Sequence, residues 1–356
     1  MCIMRILVQQ GVEMDLTKLL LEAIHSNASD LHLSSGEKPA IRVNAELIYL
    51  EKPELSEEDL LAMLKTIMTD EQYKQFMKDR ELDMSYVISG GAIFRINLFH
   101  QARGAAAVFR VIPFEIPTLE SLNMPSTLQN FCDFENGLVL LTGPTGSGKS
   151  TTLAAMINHI NKQKNIKKHI ITIEDPIEYV YESENCLINQ REVGKDTLSF
   201  ANALRCVLRE DPDIILIGEM RDIETIRLAL TAAETGHLVL ATLHTNSAAK
   251  AIDRIIDSFP GDEKDMIRSM VSESLRAVVA QKLVKLKDKD ELMAATEVMV
   301  CTPAVRNLIR ENKIAQLYSA MQTGRSHGMW TLEQDIERLV DAGIIEPPND
   351  FNVDTL

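Results

Sequence analysis

The sequence is poor in the features that mark secreted, membrane-spanning and nucleic-acid-wrapping proteins. Its five cysteines, Cys2, Cys132, Cys186, Cys206 and Cys301, are scattered, odd in number and form no CxxC pair. That excludes a disulfide framework and a cysteine-held zinc site, and suits a reducing compartment. No apolar run approaches the ~20 residues that span a bilayer, and the apolar part of MCIMRILVQQ is too short for a secretory leader. Basic residues number 37 against 52 acidic ones, a net charge of -15. A chain that wraps nucleic acid needs clustered Lys and Arg for phosphate contacts. The one short basic cluster, Lys162, Lys164, Lys167 and Lys168, reads as a solvated helix end. There is no internal repeat and no low-complexity tract.

What is present is the make-up of a globular protein, 45% hydrophobic and 25% charged over 356 residues. That is enough for a sizeable core and two domains at roughly 100–200 residues each. Residues 1–13 read as a disordered extension. Leu16, Leu19, Leu20, Ala23 and Ile24 recur at helical spacing and predict an amphipathic helix over 15–26. Strand-like runs follow at 31–33, 41–43 and 47–50. Ser56 with Asp59 opens a second helix as a capping box, with Asp in place of the usual Glu. A third helix is expected over 70–79, then strands around 84–88, 93–99 and 105–112. Strands and helices without regular alternation predict an α+β module over 14–112. Pro113, Pro117 and Pro125 mark 113–125 as a linker.

From 126 to 356 the pattern changes. Apolar strands at 138–142, 169–173, 213–217 and 237–243 alternate with helices at 150–162, 197–209, 222–233 and 248–257. Such alternation is the signature of a parallel sheet covered on both faces. A further helix over 262–283, a strand pair within 283–299 and helices near 303–311 and 331–341 complete the reading. The fold class expected is α/β, preceded by the smaller α+β module.

The strongest chemical signal is Gly143-Pro144-Thr145-Gly146-Ser147-Gly148-Lys149-Ser150, a GxxxxGK[ST] loop between an apolar strand and a helix that continues through Thr151. Its glycines let backbone N–H groups turn inward around phosphate oxygens, and the helix presents its positive end to the same charge. Lys149 is expected on the β/γ-phosphates and the Ser150 hydroxyl on Mg²⁺, so the cofactors implied are ATP and Mg²⁺. The run Asp213-Ile-Ile-Leu-Ile-Gly-Glu219 is a core strand ending in a carboxylate, placing Glu219 in the crevice at the strand's carboxyl end. There it polarises the attacking water or holds Mg²⁺ through water. Ile173-Glu174-Asp175-Pro176-Ile177-Glu178 ends another strand in acids. By residues alone it reads equally as a catalytic box or as a solvated turn broken by Pro176. His237 and His244 flank a third strand, and an imidazole at the crevice could sense the γ-phosphate.

The set as a whole resembles the secretion ATPase superfamily. GPTGSGKS, ITIEDPIEY, NQREVG, LREDPDIILIGEMRD and AAETGHLVLATLHT occur in that superfamily's order. TPAVRNLIRE (302–311) is similar to the AIRNLIRE motif of the type IV pilus retraction ATPase (PilT) family. SAMQTGRSHGMWTL (319–332) resembles the tail that follows it, and SDLHLSSGEKPAIRVNAEL (29–47) and FRINLFHQARGAAAVFRVIP (94–113) match as well. The resemblance covers nearly the whole chain after Met14. It implies a PAS-like N-terminal domain joined to a RecA-like domain and a homohexamer with ATP sites at or near subunit junctions. It also implies a cytoplasmic motor, peripheral at the inner membrane, acting on a pilus platform protein and alongside a paralogous accessory ATPase. By position it makes Glu219 the catalytic carboxylate, with Glu174, His237 and His244 assisting, and Arg95, Arg103 and Arg110 fingers toward a nucleotide. Which of Glu174 and Glu219 is the base stays open.

The chain departs from the family at a few positions. Ile93 stands where RFR has its first arginine, Asn44-Ala45 where a tight turn has Asn-Gly, Val305 for Ile, and Trp330 for Gln. The four-cysteine metal site of extension motors and type II secretion ATPases is missing, which favours the retraction branch. The activity expected is ATP hydrolysis powering pilus retraction and twitching motility. The alternative is a nucleotide-bound accessory subunit with little turnover of its own. A nucleic-acid translocase is disfavoured by the acidic charge and 5% aromatics.

Overall fold

The helical spacing of Leu16, Leu19, Leu20 and Ala23 becomes α1 (Leu16–His25), capped by the Asp15 carboxylate, which accepts from Thr17 N at 2.8 Å. The computed structural model describes residues 14–43, 46–88, 92–112, 116–287 and 291–347, and divides into two units, Met1–Glu115 and Ile116–Leu356. The extension expected at 1–13 and the turn residues Asn44 and Ala45 lie outside the described residues.

In the first unit α1 is followed by β1 (Asp30–Ser34), β2 (Ala40–Val43), β3 (Glu46–Tyr49), α2 (Glu57–Lys65), α3 (Asp70–Asp79), β4 (Glu81–Val87), β5 (Ile93–Gln101) and β6 (Gly104–Ile112). The strands form one antiparallel sheet in the order β3-β2-β1-β6-β5-β4. Alternate residues Leu31, Leu33, Phe94, Ile96, Leu98, Ala107 and Phe109 are buried with Leu19, Leu60, Leu64 and Phe76 of the helices in one core. The capping box at α2 is only half made. Ser56 accepts from Asp59 N at 3.1 Å, but the Asp59 carboxylate takes the Ser56 hydroxyl at 2.6 Å. At α3 the longer Gln72 side chain reaches back to Thr69 N at 2.9 Å and completes a true box.

The second unit runs α4 (Thr127–Cys132), β7 (Gly137–Thr142), α5 (Lys149–Lys162), β8 (His169–Glu174), β9 (Leu187–Glu192), α6 (Phe200–Val207), β10 (Ile214–Ile217), α7 (Ile223–Glu234), β11 (Leu238–Leu243), α8 (Ala248–Asp257), α9 (Lys264–Ser274), β12 (Leu275–Lys285), β13 (Leu292–Val300), α10 (Pro303–Arg310), α11 (Leu317–Thr323) and α12 (Leu332–Asp341). The sheet order is β13-β12-β7-β11-β10-β8-β9, with every pair parallel except β12–β13. Each central strand is buried on both faces. Leu138, Leu140, Ile215 and Ile217 pack with α6, α7, α8 and α9, while Val139, Leu141, Ile214 and Leu216 pack with α4 and α5. That is the doubly covered parallel sheet the alternating pattern predicts.

Three parts differ from the sequence reading. The helix expected over 262–283 stops at Ser274, where Leu275 turns extended (φ -67°, ψ 129°), and β12 takes the rest. A continuous apolar run such as AVVA fits a buried helix and a buried strand equally, and here pairing with β7 and β13 decides it. The edge strand β9 is missing from the sequence reading because LINQRE carries no apolar alternation; its backbone pairing to β8 makes it a strand. Of the stretch expected to be a linker, residues 113–115 lie outside the described residues, and 116–125 belong to the second unit. Leu119 and Met124 are buried there with Leu128 and Phe131, and the Asn158 amide donates to Ile116 O at 3.3 Å. Among the described residues no helix is long and apolar enough to cross a membrane.

Candidate nucleotide site

Four parallel strands adjacent in the sheet, β7, β11, β10 and β8, end at the same edge, and each delivers part of one cavity of about 500 Å³. After β7 comes the loop 143–148. Gly143, Gly146 and Gly148 have φ of +151°, +78° and +85°, which an L side chain rarely adopts. A Cβ on Gly143 would stand 2.4 Å from Gln281 O, so the backbone there tolerates only glycine. Around Gly146 a Cβ would meet nothing within 4 Å, since that part of the loop fronts open space. Helix α5 begins at Lys149 with Gly148 as its N-cap, and among the described residues it has no side-chain cap. The Ser147 hydroxyl is buried without a partner among the described residues. Open N–H groups, an orphaned hydroxyl and a helix N-terminus form a cradle that fits phosphate oxygens.

Lys149 is 7% exposed. Its Nζ donates to Gly143 O and Pro144 O at 2.9 Å each, so the ammonium lies across the mouth of the loop. Burial lowers its pKa, while the nearby Glu219 and Glu178 carboxylates oppose that shift. Thr145, Gly146, Ser147, Gly148, Lys149, Ser150 and Thr151 all line the cavity; Gly143 and Pro144 serve it through their carbonyls.

Glu174 closes β8 and is 8% exposed. Its Oε1 accepts from the Thr172 hydroxyl at 2.6 Å and from Gln190 Nε2 at 3.2 Å. Burial nevertheless pushes its pKa up to about 7, against those two bonds. Glu219 stands two residues beyond β10. Just before it, Gly218 lets the chain pass close to the end of β8: its N–H donates to Ile173 O at 2.8 Å, and a Cβ would crowd that oxygen at 3.3 Å. The two Glu219 oxygens are shared between Arg221 Nη2 at 2.5 Å and His244 Nε2 at 3.1 Å. His244 follows β11, and the Thr142 hydroxyl donates to Thr245 O at 2.6 Å, tying that loop to the end of β7. Among the described residues no three His, Cys, Asp or Glu groups converge on a metal position. A Mg²⁺ here fits the Ser150 hydroxyl, phosphate oxygens and water better than a protein cage, as that ion usually prefers.

The structure therefore brings together the loop, Glu174, Glu219 and His244, and it separates His237. That residue precedes β11, about 23 Å from His244 over seven residue steps at ~3.3 Å each. Its Nδ1 lies 3.0 Å from Ala232 O and 3.3 Å from the Thr235 hydroxyl. His237 lies just before β11 at the opposite edge of the sheet, outside the residues that line this cavity. The three arginines lie in the first unit. Arg95 and Arg110 are opposite each other on β5 and β6, both exposed. Arg110 Nε bonds Asp30 Oδ1 at 3.0 Å, and Arg103 Nη1 bonds Glu37 Oε1 at 2.6 Å. Sequence reasoning missed Arg221, although it sits in the quoted GEMRD run. It also missed Gln190, whose amide bonds Glu174, Tyr179 O at 2.8 Å and Tyr181 N at 2.9 Å.

A family model described as type II/IV secretion system protein matches residues 8–342. The chain belongs to that family. Within it, the chain is 56% identical over 336 residues to the type IV pilus retraction ATPase PilT of Pseudomonas aeruginosa, covering 94% of this chain and 97% of that one. It is 54% identical over 309 residues to a twitching motility protein of Neisseria gonorrhoeae, covering 87% of this chain and 82% of that one. A crystal structure of the pilus retraction motor PilT with bound ADP aligns at a TM-score of 0.87 and 42% identity, over 93% of this chain and 94% of that one. For this secretion-family member, a nucleotide is the ligand the glycine cradle fits.

Proposed function

We propose that this chain is a motor ATPase that hydrolyses ATP to power retraction of a type IV pilus and hence twitching motility. The observation that carries the reading is 56% identity to a pilus retraction ATPase along nearly the whole of both chains. The reading includes a homohexamer, cytoplasmic and peripheral at the inner membrane, that pulls on a platform protein at the pilus base, with a paralogous ATPase as an accessory partner.

Bound ATP supplies the anhydride that is cleaved, and a bound Mg²⁺ spreads the charge that develops on its phosphate oxygens. The loop N–H groups and Lys149 hold the phosphates, and Ser150 offers its hydroxyl to the metal. Glu174 is the base. Among the described residues no cation pairs with its carboxyl, and burial sets its pKa near 7, where a base is most effective. Glu219 has both oxygens engaged by Arg221 and His244, so it orients the water or metal shell, and His244 positions it. Arg95, Arg103 and Arg110 take the finger role, a guanidinium offered to transition-state charge. Arg103 leaves only an exposed ion pair to do so, worth about 0–1 kcal/mol.

The test is Mg²⁺-dependent ATP turnover by the purified full chain beside Glu219→Gln and Glu174→Gln. Both substitutions are expected to abolish turnover while ADP binding remains. Absent turnover in the wild-type assembly sinks the autonomous motor and leaves the accessory subunit.

A further inference from the structure

The loop does not hold its shape alone. Gln281, on β12, is 4% exposed and is absent from every motif singled out in the sequence. Its Nε2 donates to Ser147 O at 2.7 Å, and its Oε1 accepts from the Thr152 hydroxyl at 3.0 Å. The two partners fix the amide's orientation, because a carbonyl can only accept and the side-chain oxygen must face the hydroxyl. One side chain thus bridges the last turn of the loop and the first turn of α5. The backbone of β12 is equally close, since Gln281 O is the atom that forbids a Cβ on Gly143.

The consequence for the ligand follows from peptide geometry. In a planar trans peptide the C=O and the following N–H point in opposite directions. With Ser147 O drawn toward β12, the Gly148 N–H is turned away from β12. We propose that Gln281 is a positioning residue for the nucleotide: by anchoring Ser147 O it orients the Ser147–Gly148 peptide so that the Gly148 N–H serves a phosphate. It touches no substrate and acts through the loop, and the role rests on the nucleotide reading above. The order it imposes is the same for ATP and ADP, so its loss weakens both alike and leaves the chemical step unaltered, the pattern of uniform binding.

The experiment is ADP titration by calorimetry and steady-state ATP turnover on the full-length protein, comparing wild type with Gln281→Met, which keeps the shape and removes both hydrogen bonds. The expected result is a dissociation constant for ADP and a KM for ATP both raised about ten- to hundredfold, or 1.4–2.8 kcal/mol at about 1.4 per decade, with kcat at saturation within about threefold. A merely structural role lowers the melting midpoint and the active fraction without moving the affinity of the folded molecules. A folded Gln281→Met protein with wild-type ADP affinity, or one whose kcat collapses at unchanged affinity, overturns the proposal. Should that variant not fold, Gln281→Asn keeps the amide but withdraws it by one methylene, and unchanged affinity there overturns it equally. Wild-type protein that binds neither nucleotide sinks the nucleotide reading itself, whereas wild-type binding with unaltered variants sinks only the role of Gln281.

Discussion

Glu174 makes a prediction in which activity and stability move in opposite directions. Its carboxyl has a pKa near 7 in the folded chain, against 4.5 for the ordinary group, and burial is the main cause. The folded state therefore holds a proton that the unfolded state releases, and stability falls as pH rises between those values. At about 1.36 kcal/mol per unit, the penalty is roughly 1 kcal/mol at pH 5 and roughly 3 kcal/mol at pH 8. Glu174→Gln keeps an oxygen for Thr172 and Gln190 and carries no charge at any pH. It should unfold at a higher temperature than wild type, by about 6 °C or more at pH 8 for a unit of this size, with the gap shrinking toward pH 5. The assay is a thermal melt of nucleotide-free full-length protein in matched buffers from pH 5 to 8.5. Turnover should show the other half of the argument. Wild-type kcat should climb about tenfold per pH unit below 7 and flatten above it, as a base needs its proton gone, and the Gln variant should be inactive throughout. A melting difference between the two proteins that does not change with pH would falsify the assignment of a raised pKa to Glu174. A flat rate profile would remove it as the base.

Two further predictions follow from where particular side chains lie. His244→Ala should lower kcat about ten- to hundredfold, the usual cost of losing a partner that orients a metal-site carboxylate, whereas His237→Ala should stay within about twofold; equal losses in the two would contradict the placement of His237 at the far edge. Asp335 is 3% exposed and accepts from Thr296 N at 2.8 Å and the Thr296 hydroxyl at 3.1 Å. Asp335→Ala strands both donors in the core and should cost about 3 kcal/mol, read as an earlier shift in the emission of Trp330, the single tryptophan, whose Nε1 donates to Thr296 O at 2.9 Å; an unchanged midpoint would refute it.

Most of the fold was legible where one physical signal dominated. The alternation of apolar strands and helices after residue 126 specifies a covered parallel sheet because no other arrangement buries both faces of VLLT and IILI. Where two structures bury a run equally well, local pattern has no vote. The segment Leu275–Lys285 is a strand because β13 and β7 lie on either side of it, the latter a neighbour more than 130 residues earlier in the chain. The structure places 116–125 within the second unit rather than in a linker for a related reason. Pro113, Pro117 and Pro125 report that no helix continues, and say nothing of whether Leu119 and Met124 are buried.

The site divides along the same line. Lys149, Ser150, Glu174, Glu219 and His244 were visible because each sits at a fixed offset from the end of a core strand, and strand ends in a parallel sheet converge on one crevice. His237 shared a motif with His244 but sits at the strand's start, so the reasoning that placed one in the crevice excludes the other once strand direction is counted. Gln281 was invisible because its strand was read as helix, and a glutamine in AVVAQKLV carries no signal of its own. Its function is a relation to Ser147 and Thr152, residues about 130 positions away that the sheet places on the neighbouring edge. Groups that meet the ligand directly are written into local motifs, since the chemistry demands their type and spacing. Groups that hold those motifs in shape answer only to whichever strand happens to lie alongside, and nothing short of the folded sheet names them.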